Sequence, residues 1–363
     1  MLIEITPHSW QSALFDQPPQ GISAGIIEGR KVFNLLFSKK TKRYWQHCAS
    51  FNFVVYDNPK TLHPTTWKIG LKTTKFIQKI APDIIHFDGG VGLRLIWNVW
   101  RLRNIPIFLS VHDPVPHRGE KKLRKELIRW MYYPFVNKFV LHNNEMTKIF
   151  MEKYKISQSK ICFQPLGIYH IYKEWIDGPI EQMEKTILFF GRISPYKGIE
   201  VLYSAMPKVA EKIPGVRFII AGRPISGYSL PEPPLLKGDA KVEVIDEYIP
   251  NQQLGKLFME ATVVVCPYID ATQSGVVLTA YAFKRPVVAT KIGGLPDYVK
   301  HEITGLIVDP NDDYQLAEAL IRILKNRDFR LKLEKGIEDM ASNVLKWDNI
   351  AENTVAIYNQ SFN

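Results

Sequence analysis

The chain has 363 residues, of which 46% are apolar and 23% are charged, and it contains no low-complexity tract. This length excludes a single small binding module and predicts two domains, each able to bury its own core. The formal net charge of +11 belongs to one half, because residues 1–180 hold 26 Lys and Arg against 13 Asp and Glu. A field so one-sided favours an anionic partner, either nucleic acid or phospholipid headgroups.

The first residues, MLIEITPHSW, are typical of a strand rather than a signal peptide, and no stretch approaches 18 uninterrupted apolar residues. We therefore expect a cytoplasmic protein, with attachment to the inner face of the plasma membrane left open. The three cysteines, Cys48, Cys162 and Cys266, lie far apart and in no metal-ligand spacing. They fit a reducing compartment and argue against a structural zinc site.

Short β-rich apolar runs alternate with helical patterns along the chain, which predicts parallel sheets covered by helices on both faces. The strands predicted before a polar linker at 175–184 are 2–6, 51–56, 84–87, 107–111, 139–142 and 161–165. Those predicted after it are 186–190, 217–221, 242–245, 262–266, 286–289 and 305–308. In such sheets ligands bind at the carboxyl ends of the strands, so the residues that follow strands are the candidates for function.

The segment RGEKKLRKELIRWMYYPF, at 118–135, combines basic and apolar residues in a helical pattern. Leu123, Leu127, Trp130 and Met131 fall near one face of the predicted helix. The basic residues around that face are Lys121, Lys122, Arg124, Lys125 and Arg129. This pattern fits a helix that lies on a membrane surface with Trp130 and the basic residues facing it, and it equally fits a solvated helix whose apolar face is in the core.

The predicted strand ILFF runs into GRISPYKG at 191–198, where a helix follows. Gly191 lets the chain turn, and Arg192 and Lys197 are placed to reach one phosphate group, the first as a fork and the second as a point charge. The alternative is a solvated basic loop. A similar turn follows the next strand in FIIAGRP, at 218–224.

Four segments, FFGRISPYKGIEVLYSAMPKV, PGVRFIIAGR, VVVCPYIDATQSGVVLTAYAFKRPVVATKIGGLPDYV and ITGLIVDP, resemble in order and spacing the C-terminal domain of family 4 retaining glycosyltransferases. The resemblance implies an α/β GT-B fold of two facing Rossmann-like domains with parallel sheets. The N-terminal, acceptor-binding domain would comprise 1–176 and a last helix at 347–363 that crosses back to it, and the donor-binding domain would comprise 185–346. Arg192 and Lys197 would then hold the donor diphosphate.

The family usually carries two glutamates eight residues apart, and this sequence departs from that pattern. Depending on the register, the two positions hold Ala271 and Thr279 or Thr272 and Ala280, within a segment that reads TQSG. We expect this loop to face the donor sugar and its phosphates, with Gly275 permitting close backbone approach. The residues expected there are Asp270, Thr272, Gln273, Ser274, Gly275 and Thr279. The alternative is that they are turn formers only.

The resemblance implies further site residues in both halves. Backbone groups at Tyr248, Ile249 and Pro250 would meet the nucleobase. His112 is the better candidate for a hydrogen bond to a hydroxyl of the donor sugar, whereas His86 is predicted to be structural. Gly21 and Gly25 fall where the family has a loop near the reaction centre.

Taken together, these features predict a retaining glycosyltransferase of the hexosyltransferase type. It would move a sugar from a UDP- or GDP-linked donor to a glycan or lipid-linked acceptor, in bacterial-type cell-surface polysaccharide assembly. We expect it to use no cofactor and no metal, because Arg192 and Lys197 supply the positive charge. A catalytically idle sugar-nucleotide or glycan-binding paralogue and a GT-B sugar-nucleotide epimerase are the alternatives. A nucleic-acid partner is not expected, because no recognition module is present.

Overall fold

A computed structural model describes residues 1–5, 22–37, 41–42, 50–58, 60, 63–89, 92–114, 123–178 and 183–360. Strands and helices alternate along most of the N-terminal half, as the apolar runs predict. In chain order they are β1 (Leu2–Ile5), β2 (Gly25–Glu28), α1 (Gly29–Leu36), β3 (Asn52–Val55), α2 (Pro64–Ile80), β4 (Ile85–Asp88), α3 (Leu93–Arg101), β5 (Ile107–Val111), α4 (Leu123–Tyr132), β6 (Lys138–Leu141), α5 (Glu145–Tyr154) and β7 (Ile161–Phe163).

The C-terminal half repeats the alternation with longer helices. Its elements are β8 (Thr186–Phe190), α6 (Ile199–Lys212), β9 (Arg217–Ala221), β10 (Lys241–Ile245), α7 (Asn251–Glu260), β11 (Val263–Cys266), α8 (Gly275–Ala282), β12 (Val287–Thr290), α9 (Leu295–Tyr298), β13 (Gly305–Val308), α10 (Asp313–Lys325), α11 (Arg327–Ser342) and α12 (Trp347–Asn359). The strand β11, with the sequence VVVC, is buried along its whole length, which is why it reads as a continuous apolar run.

Within the described residues of the N-terminal half, the strands form two ladders. One has the order β4-β5-β6-β7 and is parallel throughout. The other has the order β1-β3-β2, in which β2 runs antiparallel to β3. The strand β2 was not predicted. It begins at Gly25, the last residue of the segment expected to form a loop near the reaction centre, and the role of that segment stays a prediction. Gly21 lies outside the described residues.

The C-terminal half holds one six-stranded parallel sheet in the order β10-β9-β8-β11-β12-β13. Successive strands are added outward from β8 on one side and outward from β11 on the other, so the winding reverses between these two strands. A crevice opens at such a reversal, outside the carboxyl ends of the strands. The helix α6 closes one face of the sheet with Ile199, Leu202, Met206 and Val209, all buried at helical spacing.

The last helix, α12, packs against the N-terminal half, as predicted. Trp347 donates from Nε1 to the carbonyl of Ile168 at 2.8 Å, and Gln164 donates from Nε2 to the carbonyl of Ile350 at 2.8 Å. Farther along α12, the ring of Tyr358 meets that of Phe108 edge-on at 5.1 Å. The mixed α/β architecture with parallel sheets and a returning helix confirms the predicted fold class.

Gly222 fixes the spacing between the turns that follow β8 and β9. A Cβ at this position would lie 1.9 Å from the carbonyl oxygen of Gly191, and the φ of Gly222 is 149°. Gly227 also has a positive φ, 82°, but a Cβ there would meet nothing within 4 Å. Comparing a substitution at Gly222 with one at Gly227 therefore separates the destabilisation caused by a steric clash from that caused by the positive φ.

We expect Gly222→Ala to reduce the free energy of unfolding by at least about 2 kcal/mol more than Gly227→Ala does. Gly227→Ala should cost only about 1 kcal/mol, because it adds backbone strain without a clash. Urea unfolding followed by circular dichroism measures both variants. Equal losses in the two variants would contradict the close approach of the two turns.

Candidate functional site

The turns that follow β8 and β11 meet at the point where the strand order reverses. Gly198 has a φ of 67°, and a Cβ there would lie 1.9 Å from the carbonyl oxygen of Pro267. In the same contact, the backbone N–H of Ile269 donates to the carbonyl of Tyr196 at 2.9 Å. The two turns are therefore held together by backbone contact. This contact fixes the backbone positions from which their side chains extend.

Lys197 lies at the centre of this contact. Its Nζ is 3.7 Å from the centroid of the Tyr268 ring and 5.5 Å from that of Tyr196, both within the range of a cation–π interaction. Among the described residues, no carboxylate forms an ion pair with Lys197. Burial, together with repulsion from Arg192, lowers the pKa of Lys197 to about 8. A bound anion would offset both the unfavourable burial of the ammonium group and its repulsion by Arg192.

A cavity of about 450 Å³ opens beside Arg192. It is bounded by the ends of β8 and β9, by the start of α7 and by one residue from the end of the N-terminal half. The lining residues are Tyr172, Phe190, Gly191, Arg192, Gly222, Arg223, Pro224, Tyr248, Ile249, Asn251 and Leu254. The structure thus brings Gly191, Arg192, Tyr248 and Ile249 together, as the sequence predicts. Pro250 caps the start of α7 next to them.

Three predicted hydroxyl groups, two in the loop before α8 and one in α8 itself, are bonded within the protein. Thr272 donates from Oγ1 to Asp113 at 2.8 Å, Ser274 shares a hydrogen bond with the Tyr268 hydroxyl at 3.1 Å, and Thr279 donates to the carbonyl of Gly275 at 2.8 Å. All three side chains are buried. Each of these hydroxyls therefore has a partner inside the protein, and their contact with a donor stays a prediction. Asp270 lies at the start of the loop, half-buried.

Gln273 points from the same loop towards the N-terminal half. Its side-chain amide nitrogen lies 3.2 Å from Nδ1 of His112, and His112 places Nε2 2.7 Å from Oδ1 of Asp88. An ionised carboxylate only accepts, so Nε2 carries a hydrogen, and in the neutral ring Nδ1 accepts from Gln273. The Oε1 atom of Gln273 is buried and has no hydrogen-bond partner among the described residues.

Asp88 raises the pKa of His112, chiefly through their hydrogen bond. The pKa of Asp88 is lowered by the same bond. His86, by contrast, hydrogen-bonds the Tyr358 hydroxyl and Ser110, and burial lowers its pKa. Its partners belong to α12 and β5, so His86 ties these two elements together, which fits the structural role predicted for it.

Direct bonds join the two halves around this cluster. Asn143 donates from Nδ2 to the carbonyl of Thr272 at 2.8 Å, and Tyr298 donates its hydroxyl to the carbonyl of His142 at 2.8 Å. Gly294 permits this approach, because a Cβ there would lie 2.6 Å from that of Asn143. The residues after β5, β6 and β11 therefore form one site at the cleft.

Of the residues predicted to face a membrane, Arg124 and Trp130 are exposed on α4. Arg129 is not available, since it donates to the carbonyl of Asp113, to Glu126 and to the Tyr154 hydroxyl. Its assignment to the outer face was wrong, because the helix turns it towards α5. Lys121, Lys122 and the side chain of Lys125 lie outside the described residues.

No helix in the described part of the chain is long and apolar enough to cross a membrane. Within that part, no group of His, Cys, Asp and Glu could hold a metal ion.

Both halves match families of known proteins. Residues 36–170 match the family described as "Glycosyltransferase Family 4", and residues 184–326 match "Glycosyl transferases group 1". Each half is therefore similar to a glycosyltransferase domain.

Two of three curated relatives match about half of the chain, and the third matches most of it. An uncharacterized glycosyltransferase of Methanocaldococcus jannaschii is 34% identical over 179 residues, 49% of this chain and 46% of that protein. The D-inositol 3-phosphate glycosyltransferase of Saccharomonospora viridis is 32% identical over 48% of this chain and 43% of its own length. That of Corynebacterium glutamicum is 27% identical over 78% of this chain and 73% of its own length. The matched region thus spans less than half of the first two relatives.

Solved structures share the GT-B fold. Sucrose-phosphate synthase from Thermosynechococcus elongatus has a TM-score of 0.64 at 19% identity and covers 86% of this chain and 84% of its own. Anabaena HepE in complex with UDP-glucose has a TM-score of 0.65 at 15% identity and covers 88% and 89%. Such low identities show the fold alone.

Sequence reasoning missed several members of the site. Asp88 and Asp113 each follow the predicted strand that ends beside them, and that position was the available signal. Asn143 follows β6 in the same way. Tyr268 follows β11, but its ring could not be placed under Lys197 before the turn geometry was known.

The pairing of Asp88 with His112 predicts a change in titration. In Asp88→Asn the pKa of His112 should fall back towards the ordinary value near 6.5, because the charge that stabilises the protonated ring is gone. NMR titration of the imidazole resonances measures it. An unchanged pKa in a folded variant would show that Asp88 does not hold the ring.

Proposed function

We propose that the protein is a retaining glycosyltransferase that moves a sugar from a UDP- or GDP-linked donor to a glycan or lipid-linked acceptor in cell-surface polysaccharide assembly. The observation that carries the proposal is Lys197, a partly buried cation without a described carboxylate partner, beside Arg192 at the strand reversal. The family matches of both halves support a glycosyl-transfer reaction. HepE, which shares the fold, was solved with UDP-glucose.

The cavity provides a place for the nucleoside. Tyr248 and Ile249 line it on the side of α7 and offer backbone groups to a base edge. The diphosphate would lie between Arg192 and Lys197, next to the first turn of α8. Ser274, the residue before that turn, makes no side-chain cap there, so backbone N–H groups of the turn are open to an anion.

The two cations act on the leaving group. As the bond from the anomeric carbon to the phosphate oxygen breaks, negative charge grows on the departing diphosphate, and Arg192 and Lys197 stabilise it in place. The acceptor oxygen forms its bond on the same face of the sugar and gives its proton to the departing phosphate, so configuration is retained. This route uses no carboxylate nucleophile, in keeping with the TQSG sequence at the glutamate positions, and no metal or cofactor.

Gln273 and His112 are placed to orient the donor sugar. The unpartnered Oε1 of Gln273 would accept a hydrogen bond from a sugar hydroxyl, which removes the cost of a buried, unsatisfied acceptor. His112 holds the amide nitrogen of Gln273, and Asp88 holds His112. Discrimination among donor sugars would then depend on this chain of bonds.

Arg192→Ala should weaken binding of UDP or GDP roughly 10- to 100-fold, because one charge-assisted contact is lost. Arg322→Ala is the matched control, since Arg322 is an exposed arginine of α10 paired with Glu302 and lies outside the cavity. Isothermal titration of both nucleotides measures the affinities and identifies the base.

Equal affinities in wild type and Arg192→Ala would refute the assignment of the diphosphate site. Release of free nucleoside diphosphate from the donor without acceptor separates the enzyme from an idle sugar-nucleotide-binding protein. Tight binding with no release, with or without acceptors, would favour the idle protein.

A further inference from the structure

Three neighbouring helices of the N-terminal half, α2, α3 and α4, form a basic layer on one side of the sheet. Contacts join α2 to α3 and α3 to α4, and the strands that α3 and α4 connect are adjacent and parallel. The three helices contain nine Lys and Arg and one carboxylate, Glu126. We call this layer the α2–α4 face.

The single carboxylate of these helices is turned away from solvent. Glu126 is bonded to Arg129, Lys153 and the Tyr154 hydroxyl. The lysines of α2, in contrast, are all exposed; they are Lys68, Lys72, Lys75 and Lys79. The described outer side of the layer is therefore positive without an acidic side chain of these helices to offset it.

Tryptophan is concentrated on the same layer. Four of the eight tryptophans in the chain lie on it with their side chains partly in water: Trp67 (37% exposed), Trp97 (40%), Trp100 (41%) and Trp130 (45%). Leu71, Leu127 and Met131 are exposed beside them. A solvated helix face has no reason to expose so many large apolar side chains.

Trp97 and Trp100 show how the two features combine. Their rings stack at 5.1 Å on the outside of α3, with Arg101 over the first at 5.2 Å and Arg103 over the second at 4.6 Å. The result is a half-exposed pair of indole rings with one guanidinium group over each ring. Tryptophan favours the interface between lipid headgroups and acyl chains, and cations favour anionic headgroups at the same depth.

We propose that the α2–α4 face binds an anionic lipid bilayer, with Trp97 and Trp100 inserted at headgroup level. The proposal rests on the proposed function in one respect, since it places the enzyme where a lipid-linked acceptor is found. It moves the contact from α4 alone to all three helices, with α2 supplying most of the exposed charge. Nucleic acid is the less suitable partner, because it would leave the exposed aliphatic side chains of Leu71, Leu127 and Met131 in water.

The test uses the full chain with vesicles of phosphatidylcholine and of phosphatidylcholine mixed with phosphatidylglycerol. Wild type should co-sediment with the anionic vesicles at about 50 mM salt and be released at about 500 mM. Reversing Lys68, Lys72, Lys75 and Lys79 to Glu should lower the partition coefficient roughly 600-fold or more, at about fivefold for each lysine. The control makes the same charge change in the C-terminal half, by reversing the exposed Lys237, Lys241, Lys325 and Lys332 to Glu. The fold decrease in its partition coefficient should be less than one tenth of that seen for the α2 variant.

A second pair of variants tests the aromatic contact. Trp97→Ala with Trp100→Ala should weaken vesicle binding about tenfold and reduce the blue shift of tryptophan fluorescence that vesicles produce in wild type. Arg101→Glu with Arg103→Glu should weaken binding and leave both rings in place. Circular dichroism checks that each variant is folded.

The proposal fails if wild type ignores anionic vesicles at low salt, or if both tryptophans can be removed without loss of binding. Binding to an oligonucleotide without binding to vesicles would also overturn it and assign the face to nucleic acid. Titration of UDP and GDP with the same variants keeps the two proposals apart. Normal nucleotide binding without vesicle binding defeats this inference alone, and the reverse defeats the proposed function alone.

Discussion

A lysine ammonium group held against an aromatic ring, with no described carboxylate beside it, is the interaction on which the candidate site depends. Taking a cation out of water without a counter-ion is unfavourable, and the lowered pKa of Lys197 expresses that cost. The cation–π contact with Tyr268 offsets part of it. A bound diphosphate would offset the remaining cost of burying the ammonium group, so the site is stabilised by the ligand that it is proposed to bind.

The geometry of this group comes from the backbone. Gly198 against the Pro267 carbonyl and Gly222 against the Gly191 carbonyl leave no room for side chains, so the turns after β8, β9 and β11 lie at fixed distances. The helix α12 and the hydrogen bonds at Asn143 then attach the N-terminal half to these turns. The cleft is thus built from rigid strand ends, with function in the short segments that follow them.

Much of the fold could be predicted from the sequence, because buried parallel strands read as continuous apolar runs. The structure places most predicted strands within two residues of their expected bounds. The strand β2 was missed because GIIE is short and follows a glycine-rich segment.

In the site, Arg192 and Lys197 were accessible to sequence reasoning, since both belong to one turn. The Asp88–His112–Gln273 chain was not, because it joins three strand ends that only the tertiary structure brings together. The direction of the Thr272 and Ser274 hydroxyls likewise depends on partners far away in the sequence or on the neighbouring ring.

The central claim, that Lys197 receives a diphosphate, has a direct thermodynamic signature. A group with a pKa of about 8 in the free protein is half protonated at that pH, and an anion raises its pKa. Titration of UDP or GDP at about pH 8, in two buffers of different ionisation enthalpy, should therefore show uptake of about half a proton. Affinity should be greatest below pH 8 and fall as the pH rises through it, whereas Lys197→Arg should bind without proton uptake. Binding that takes up no proton in the wild type, with the same affinity on both sides of pH 8, would contradict the account.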